Sequence, residues 1–197
     1  MNRPLRIAVA DDDAAAREHL LAALPLLGHD VVAAVGHGEA LVAACRAEAP
    51  DLLIVDLHMP GLGGVEASRR VYEESPLPVV LVSARPDPSA LGRPEQDHVL
   101  AFLVKPIRQA DLEPAIVLAV SRFEQIQTLR REAADLRQAL EDRKLIERAK
   151  GALMRRAGLP EHDAFRRLQR LANDRNRKLV DVARMILTAE EAYRVDD

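Results

Sequence analysis

Short apolar segments alternate with longer amphipathic segments through residues 5–105 of the chain. Five apolar segments have the length of buried strands: "LRIAVA" (5–10), "DVVAAV" (30–35), "LLIVD" (52–56), "PVVLVS" (78–83) and "AFLVK" (101–105). Helical patterns lie between them, near 14–27, 38–48 and 64–74. Strands that alternate with helices are typical of α/β proteins, so the pattern predicts a parallel sheet of five strands.

The spacing of proline residues marks two changes along the chain. Pro86, Pro88 and Pro94 all lie in the fourth connection, so a short or broken helix is predicted there. No proline occurs between Pro114 and Pro160, and this charged, helix-prone stretch predicts one long helix.

A narrow apolar stripe follows one side of the predicted long helix. Its members alternate at spacings of three and four residues: Ile126, Leu129, Ala133, Leu136 and Leu140. This spacing is typical of a coiled-coil seam, which predicts a homodimer through the helix. Packing of the stripe onto the first domain is the alternative.

The end of the chain contains two further breaks, at "AGLPEHD" and "NDRNRK". We therefore predict a helix that ends near residue 157, with Gly158 as its stop, and two further helices at 160–173 and 177–193. Pro160 lies near the start of the second helix, and Asn176 is a candidate N-cap for the third.

These patterns divide the chain into three parts. Residues 1–120 are predicted to form a flavodoxin-like, doubly wound α/β domain with a five-stranded parallel sheet. Residues 121–138 form a helical coiled-coil linker, and residues 139–197 form a small three-helix, all-α domain. The chain of 197 residues is 48% hydrophobic, which is sufficient for a sizeable core.

Composition narrows the cellular setting. No run of about 18 apolar residues exists, so no membrane span is predicted. The N-terminal segment becomes acidic after one short strand, which argues against a secretory signal and favours the cytoplasm. The single cysteine, Cys45, has no partner for an internal disulfide. An inert packed thiol is the favoured interpretation of Cys45, and a catalytic thiol is the alternative.

The two halves of the chain carry opposite net charges. Residues 1–120 hold 10 Lys and Arg against 17 Asp and Glu, and residues 121–197 hold 18 against 14. An acidic first half favours a cation site, whereas a basic second half favours a polyanion such as nucleic acid.

Three carboxylates come directly after predicted strands of the acidic half. Asp11 and Asp12 follow the first strand, and Asp56 ends the third, while Asp13 is predicted to cap the next helix. In a sheet of order 2-1-3-4-5 the first and third strands are neighbours, and ligands bind at their carboxyl ends. Clustered carboxylates repel one another unless a cation neutralises them, so a Mg²⁺ site is predicted here.

Two more strand ends supply groups that suit a phosphate. Ser83 offers a hydroxyl after the fourth strand, and Lys105 offers an ammonium group after the fifth. Pro106 follows Lys105, and a cis peptide bond there would turn the lysine toward the cleft.

In these motifs the sequence resembles the receiver domains of two-component response regulators. The resemblance covers about the first 120 residues, through "ADDD", "VDLHMPG", "VSA" and "VKP" in the expected order. It implies that Asp56 accepts a phosphoryl group from a sensor histidine kinase. It further implies that Asp11 and Asp12, with Asp56 and the backbone carbonyl of His58, bind Mg²⁺.

The same resemblance assigns the remaining residues of the pocket. It implies that Ser83 and Lys105 contact the phosphoryl group. Phe102 takes the place of the switch aromatic, which turns inward when Ser83 moves; a tyrosine is more common at this position.

The basic half resembles a second family, the ANTAR domain, an RNA-binding module of antiterminators. The similarity runs over about residues 136–190, through "R..I..AKG.LM...G", "AF..L...A" and "NRKL.DVA". It implies binding to tandem RNA hairpins, which would prevent a terminator from forming. The residues expected to contact RNA are Arg143, Lys150, Arg177 and Lys178. The other arginines of this half are expected to be solvated or to attract phosphates loosely.

The leading functional hypothesis is a phosphorylation-controlled transcription antitermination regulator that is not an enzyme. Phosphorylation of Asp56 would free or dimerise the long helix and expose the basic helices. One alternative is a DNA-binding response regulator, although the turn and recognition helix of a helix-turn-helix are absent from the pattern. The other is a phosphorelay or scaffold protein whose helical tail binds another protein.

Overall fold

The protein forms two compact units, residues 1–127 and 128–197, in the computed structural model. The structure describes residues 3–84 and 98–194, together with their side chains up to residue 191. The predicted helix break at Pro86, Pro88 and Pro94 lies outside the described residues.

The first unit is an α/β sandwich whose strands run parallel. Its strands are β1 (Arg6–Ala10), β2 (Asp30–Val35), β3 (Leu52–Asp56), β4 (Val79–Ser83) and β5 (Val99–Val104). The helices between the first strands are α1 (Ala14–Leu26), α2 (Gly38–Glu48) and α3 (Gly64–Glu74). The strand order is β2-β1-β3-β4-β5, which confirms the predicted flavodoxin-like topology.

Alternation of side chains along the strands builds two apolar layers. Ile7 and Val9 of β1 face α1 and the first turns of the long helix, whereas Ala8 and Ala10 face α2 and α3. The strands β3 and β4 are buried along their whole length, as expected for central strands covered on both faces. The register pairs Ala10 with Val55, so β1 and β3 end side by side.

The long helix α4 runs from Gln109 to Ala157 without interruption. Its first turns complete the core of the first unit through Leu112, Ile116 and Ala119, and Ile126 packs against the same core. Leu129, Leu136 and Leu140 of the predicted seam are 64%, 72% and 54% exposed.

The second unit packs the C-terminal part of α4 against α5 (Glu161–Asp174) and α6 (Leu179–Arg194). The buried residues of this unit, among those described, are Ala149, Ala152, Ala164, Leu168, Ala172, Val182, Ala183 and Leu187. Five of these eight are alanines, which let the helices approach closely. The predicted helix ends at Gly158 and Pro160 agree with the observed bounds within about two residues.

Helix termini confirm one predicted cap and correct another. Asp13 is the N-cap of α1, where its carboxylate accepts a hydrogen bond from the Ala15 amide at 2.9 Å. The prediction that Asn176 caps the start of α6 was wrong. Asn176 has a φ of +49° and closes α5 instead, because the Arg177 amide donates to the Ala172 carbonyl at 2.9 Å. Asparagine tolerates the left-handed conformation that such helix ends require.

Cys45 lies on the buried side of α2, and burial raises the pKa of its thiol to about 11. At pH 8 roughly a thousandth of the thiol would be thiolate, the form that reacts with alkylating agents. We expect iodoacetamide to label the native chain about a hundredfold more slowly than the urea-unfolded chain, as mass spectrometry would record. Equal rates would contradict a buried, inert thiol.

No helix within the described ranges is both long and apolar enough to cross a membrane.

Candidate functional site

Three carboxylates meet at the carboxyl ends of β1 and β3. One carboxylate oxygen from each of Asp11, Asp12 and Asp56 lies within 4.8 Å of the others. Asp11 and Asp56 are 1% and 5% exposed, whereas Asp12 is open to solvent. The parallel register explains the cluster, since Asp11 directly follows Ala10 and Asp56 directly follows Val55. The structure therefore brings together all three acidic residues that the sequence predicted.

Lys105 supplies the positive charge of the pocket. Its Nζ atom donates to Asp11 Oδ1 at 2.9 Å and to Asp56 Oδ2 at 3.0 Å. The Lys105 amide donates to the Ser83 carbonyl at 2.9 Å, which anchors the end of β5 beside β4. The Lys105–Pro106 peptide bond is cis.

Burial and charge act in opposite directions on the central carboxylate. Burial raises the pKa of Asp56, and the negative charge of Asp11 adds to this effect. Hydrogen bonding and attraction by Lys105 oppose the rise, as does a backbone hydrogen bond from His58. Burial alone would lower the pKa of Lys105, but its two carboxylate partners raise it above its usual value. The positive charge of Lys105 thus partly offsets the cost of burying the Asp56 carboxylate.

Replacing Lys105 by Met should make the first unit less stable as the pH rises. The variant loses the ammonium that lowers the pKa of Asp56, so this pKa moves further above its unfolded value. A raised folded-state pKa stabilises an acid-bearing fold below the unfolded pKa, and this contribution disappears as the pH rises through the folded pKa. In Mg²⁺-free buffer we expect urea unfolding to show a loss of about 1–2 kcal/mol near neutral pH and little loss below about pH 4.

Arg108→Met is the matched control for that experiment. Arg108 lies three residues along the chain, and its ion pair with Asp111 is exposed to solvent, so its loss should change stability only slightly near neutral pH. If the stability of the Lys105→Met protein varied with pH no more than that of the Arg108→Met protein, the proposed effect of Lys105 on the pKa of Asp56 would be wrong.

The donor set of the pocket fits a hard divalent cation. Asp11, Asp12 and Asp56 offer only oxygen atoms, the ligands that Mg²⁺ prefers. Asp11 Oδ2 is buried and lies 2.8 Å from Lys105 Nζ, yet it accepts no well-aligned hydrogen bond from the described residues. This oxygen therefore retains lone pairs for a cation. His58 follows β3 in a loop, and its side chain is exposed.

The two predicted switch residues lie on the neighbouring strands. Ser83 is 2% exposed at the end of β4, one residue beyond Val82, which pairs with Asp56 in the sheet. Phe102 lies in β5 opposite Leu81 and packs, half-buried, against the apolar layer beneath α2 and α3. The structure thus places Ser83 beside the pocket and Phe102 on the adjoining strand.

Two residues that the sequence reasoning missed help to shape the pocket. Arg17 donates from Nη1 to the backbone carbonyl oxygens of Asp11 and Asp12, at 2.6 and 3.2 Å, and so holds the loop that carries both carboxylates. Gly64 begins α3 against the backbone of Asp56, where a β-carbon would lie 1.9 Å from the Asp56 carbonyl oxygen. The signal for Gly64 was the Gly63–Gly64 pair at the start of a predicted helix.

The four residues predicted to contact RNA have different surroundings in the second unit. Arg143 is exposed on α4, and Arg177 and Lys178 are exposed in the turn between α5 and α6. Lys150 is only 12% exposed in its side chain, and its Nζ atom lies 2.5 Å from a Glu147 oxygen and 2.7 Å from a Glu161 oxygen.

Comparisons with known proteins match each of the two units to a domain family. The response regulator receiver domain matches residues 7–117, and the ANTAR domain matches residues 134–187. The transcriptional regulatory protein PdtaR of Mycobacterium tuberculosis (strain CDC 1551 / Oshkosh) is 39% identical over 184 residues, which cover 93% of this chain and 90% of PdtaR.

Solved structures resemble the first unit. The signal receiver domain of the putative response regulator NarL from Mycobacterium tuberculosis is 30% identical, with a TM-score of 0.54 over 59% of this chain and 95% of that one. The signal receiver domain of a modulated diguanylate cyclase from Desulfovibrio desulfuricans G20 is 25% identical, with a TM-score of 0.56 over 62% of this chain and 98% of that one. The chain belongs to the response regulators that join an N-terminal receiver domain to a C-terminal ANTAR domain.

Proposed function

We propose that this protein is a phosphorylation-controlled transcription antitermination regulator. A sensor histidine kinase phosphorylates Asp56, and the ANTAR domain then binds RNA hairpins and prevents a terminator from forming. The observation that carries the proposal is the pocket in which Lys105 joins Asp11 and Asp56, in the same chain as an ANTAR domain. The protein acts by changing state and does not turn over a substrate.

Asp56 is the group best suited to accept the phosphoryl group. Its carboxylate oxygen forms a bond to phosphorus while the bond from phosphorus to the kinase histidine nitrogen breaks, and that nitrogen keeps the electron pair. Asp11, Asp12, Asp56 and the His58 carbonyl would hold Mg²⁺, which would supply positive charge to offset the phosphoryl oxygens.

Lys105 and Ser83 stabilise the product. The Lys105 ammonium already lies 3.0 Å from Asp56 Oδ2, so it is positioned to pair with a phosphoryl oxygen on that residue. The Ser83 hydroxyl donates a hydrogen bond to another phosphoryl oxygen. Movement of Ser83 toward the phosphoryl group frees space that Phe102 enters, and this change alters the surface around β5.

The second unit provides the output. Its described residues carry a marked excess of Lys and Arg, with 13 against 7 Asp and Glu between Leu140 and Leu187. Recognition of a hairpin by this surface relies on phosphate contacts and on its shape, because aromatic residues are scarce here. The exposed leucines of the α4 seam pair two copies of the chain, so that a dimer presents two ANTAR domains to tandem hairpins.

The coupling is tested by measuring hairpin affinity with and without phosphorylation. Acetyl phosphate with Mg²⁺ should tighten the binding of a fluorescent tandem-hairpin RNA by about tenfold or more for the natural sequence, a typical allosteric coupling. Asp56→Asn should remove this response while leaving the basal affinity unchanged. A natural protein that binds equally well in both conditions would refute the coupling.

Duplex DNA of matched length and salt concentration is the control ligand. Tighter binding to the duplex than to the hairpins would favour the DNA-binding alternative. Absence of binding to either nucleic acid at low salt would favour a tail that binds protein.

A further inference from the structure

Two groups of cations in the second unit have different surroundings, which the sequence does not distinguish. Those of the first group each lie within 4.0 Å of a carboxylate on α4, α5 or α6: Lys144 with Glu141, Arg148 with Glu191, Lys150 with Glu147 and Glu161, Arg155 with Glu190, and Arg184 with Asp142. These contacts neutralise much of the positive charge on the last turns of α4 and on α6.

The second group contains six cations on α5 and in the turn that follows it: Arg166, Arg167, Arg170, Arg175, Arg177 and Lys178. Within the part of the chain that the structure describes, none of these six forms an ion pair with a carboxylate. The segment 166–178 contains one acidic residue, Asp174, so it carries a net charge of +5. We call these six residues the α5 basic face.

The geometry of α5 directs this charge away from the core. Ala164, Leu168 and Ala172 form the buried stripe of the helix. Arg166 and Arg170 are four residues apart, and both are exposed on the opposite side of the helix.

The turn after α5 extends the same charged surface. The left-handed residue Asn176 ends the helix, and the exposed residues Arg177 and Lys178 follow it before α6 begins. The chain therefore presents cations along the helix and at its end.

Charge density separates this face from three exposed arginines of α4. Within the described residues, Arg131, Arg137 and Arg143 also form no ion pair with a carboxylate, but segment 131–144 holds four basic and four acidic residues. A phosphate chain there meets as much negative as positive charge. Between residues 166 and 178, six basic residues face a single acidic residue, Asp174, so a polyanion releases the most counterions where it contacts this segment.

We infer that the α5 basic face is the phosphate-binding surface of the ANTAR domain and that Lys150 is not part of it. This inference rests on the proposed binding of RNA. Lys150 joins α4 to the start of α5 through Glu161, and its two carboxylate partners raise its pKa, so it remains charged within the unit. Its function is to position α5, and a phosphate would have to displace both glutamates to reach it.

The test compares two double variants of the full-length, phosphorylated protein. Arg166→Gln/Arg170→Gln removes two charges from the α5 basic face. Lys144→Gln/Arg155→Gln removes the same number of charges from paired positions. The affinity for a tandem-hairpin RNA is measured by fluorescence anisotropy over a series of KCl concentrations, and thermal melting verifies that both variants fold.

The first variant should lose about tenfold or more in affinity at physiological salt, and its slope of log Kd against log salt should fall by roughly 2. The second variant should keep the natural slope. Arg177→Gln/Lys178→Gln, in the turn, should reproduce the loss of the first variant. Lys150→Gln should lower the melting temperature without changing the slope.

If Arg166→Gln/Arg170→Gln and Lys144→Gln/Arg155→Gln gave equal slopes of log Kd against log salt, the assignment of the α5 basic face would be wrong. It would also be wrong if Arg166→Gln/Arg170→Gln kept the natural slope. Either result leaves the proposed function intact, because the natural protein still binds the hairpins. Failure of the natural, phosphorylated protein to bind hairpin RNA would instead remove the proposed function, and this inference with it.

Discussion

The Asp56→Asn protein should fail to take up a phosphoryl group from acetyl phosphate in the presence of Mg²⁺. An amide has no nucleophilic oxygen comparable to the carboxylate, so the loss should be complete by intact-protein mass spectrometry, where the natural protein gains the mass of one phosphoryl group. The buried position of Asp56, beside Lys105 and Asp11, is the reason to expect a single acceptor.

Asp30→Asn is the control for the acceptor assignment. Asp30 is an exposed carboxylate at the start of β2, the end of the strand remote from the cluster, and its replacement should leave phosphoryl uptake unchanged. Uptake of a phosphoryl group by the Asp56→Asn protein would place the acceptor elsewhere.

Gly64→Ala should destabilise the receiver domain by about 3 kcal/mol or more, because the new methyl group meets backbone atoms that have little freedom to move. Its β-carbon would lie 1.9 Å from the Asp56 carbonyl oxygen and 2.9 Å from Val55 Cγ1. Urea unfolding measures the loss of stability. Since the contact is with Asp56 itself, uptake of a phosphoryl group should fall as well.

The neighbouring glycine provides a matched control. Gly63 has a φ of −61°, and a β-carbon there would approach the Leu57 carbonyl oxygen no closer than 3.8 Å. Gly63→Ala should therefore cost less than about 1 kcal/mol. Similar losses in the two variants would indicate that helix propensity, and not the contact with Asp56, governs this turn.

The order of strands and helices in the first unit could be predicted from the sequence, because each strand is a short apolar segment. The segment "LLIVD" is apolar up to Asp56, and the polar residue marks the end of the strand. Parallel strands place such ends at one edge of the sheet, so the sequence predicts that Asp11, Asp12, Asp56 and Lys105 lie close together, as the structure shows.

Local patterns were less informative where a residue acts through distant contacts. Arg17 looks like an ordinary helix cation, and only folding brings its guanidinium to the carbonyl oxygens of Asp11 and Asp12. Asn176 illustrates a second limit, since an asparagine between two helices can start one or end the other. The hydrogen bond from the Arg177 amide to the Ala172 carbonyl determines that it ends α5.

The sequence by itself determined the order of strands and helices along the chain, the carboxylates at the strand ends and the basic character of the C-terminal half, because periodicity and charge are properties of the chain. Only the tertiary structure decided which cations remain exposed without a partner. Lys150 and Arg166 look alike in the sequence, yet the packing of α5 against α4 places Glu161 beside Lys150 and leaves Arg166 in solvent. An ion pair depends on distances across helices, which the order of residues does not fix.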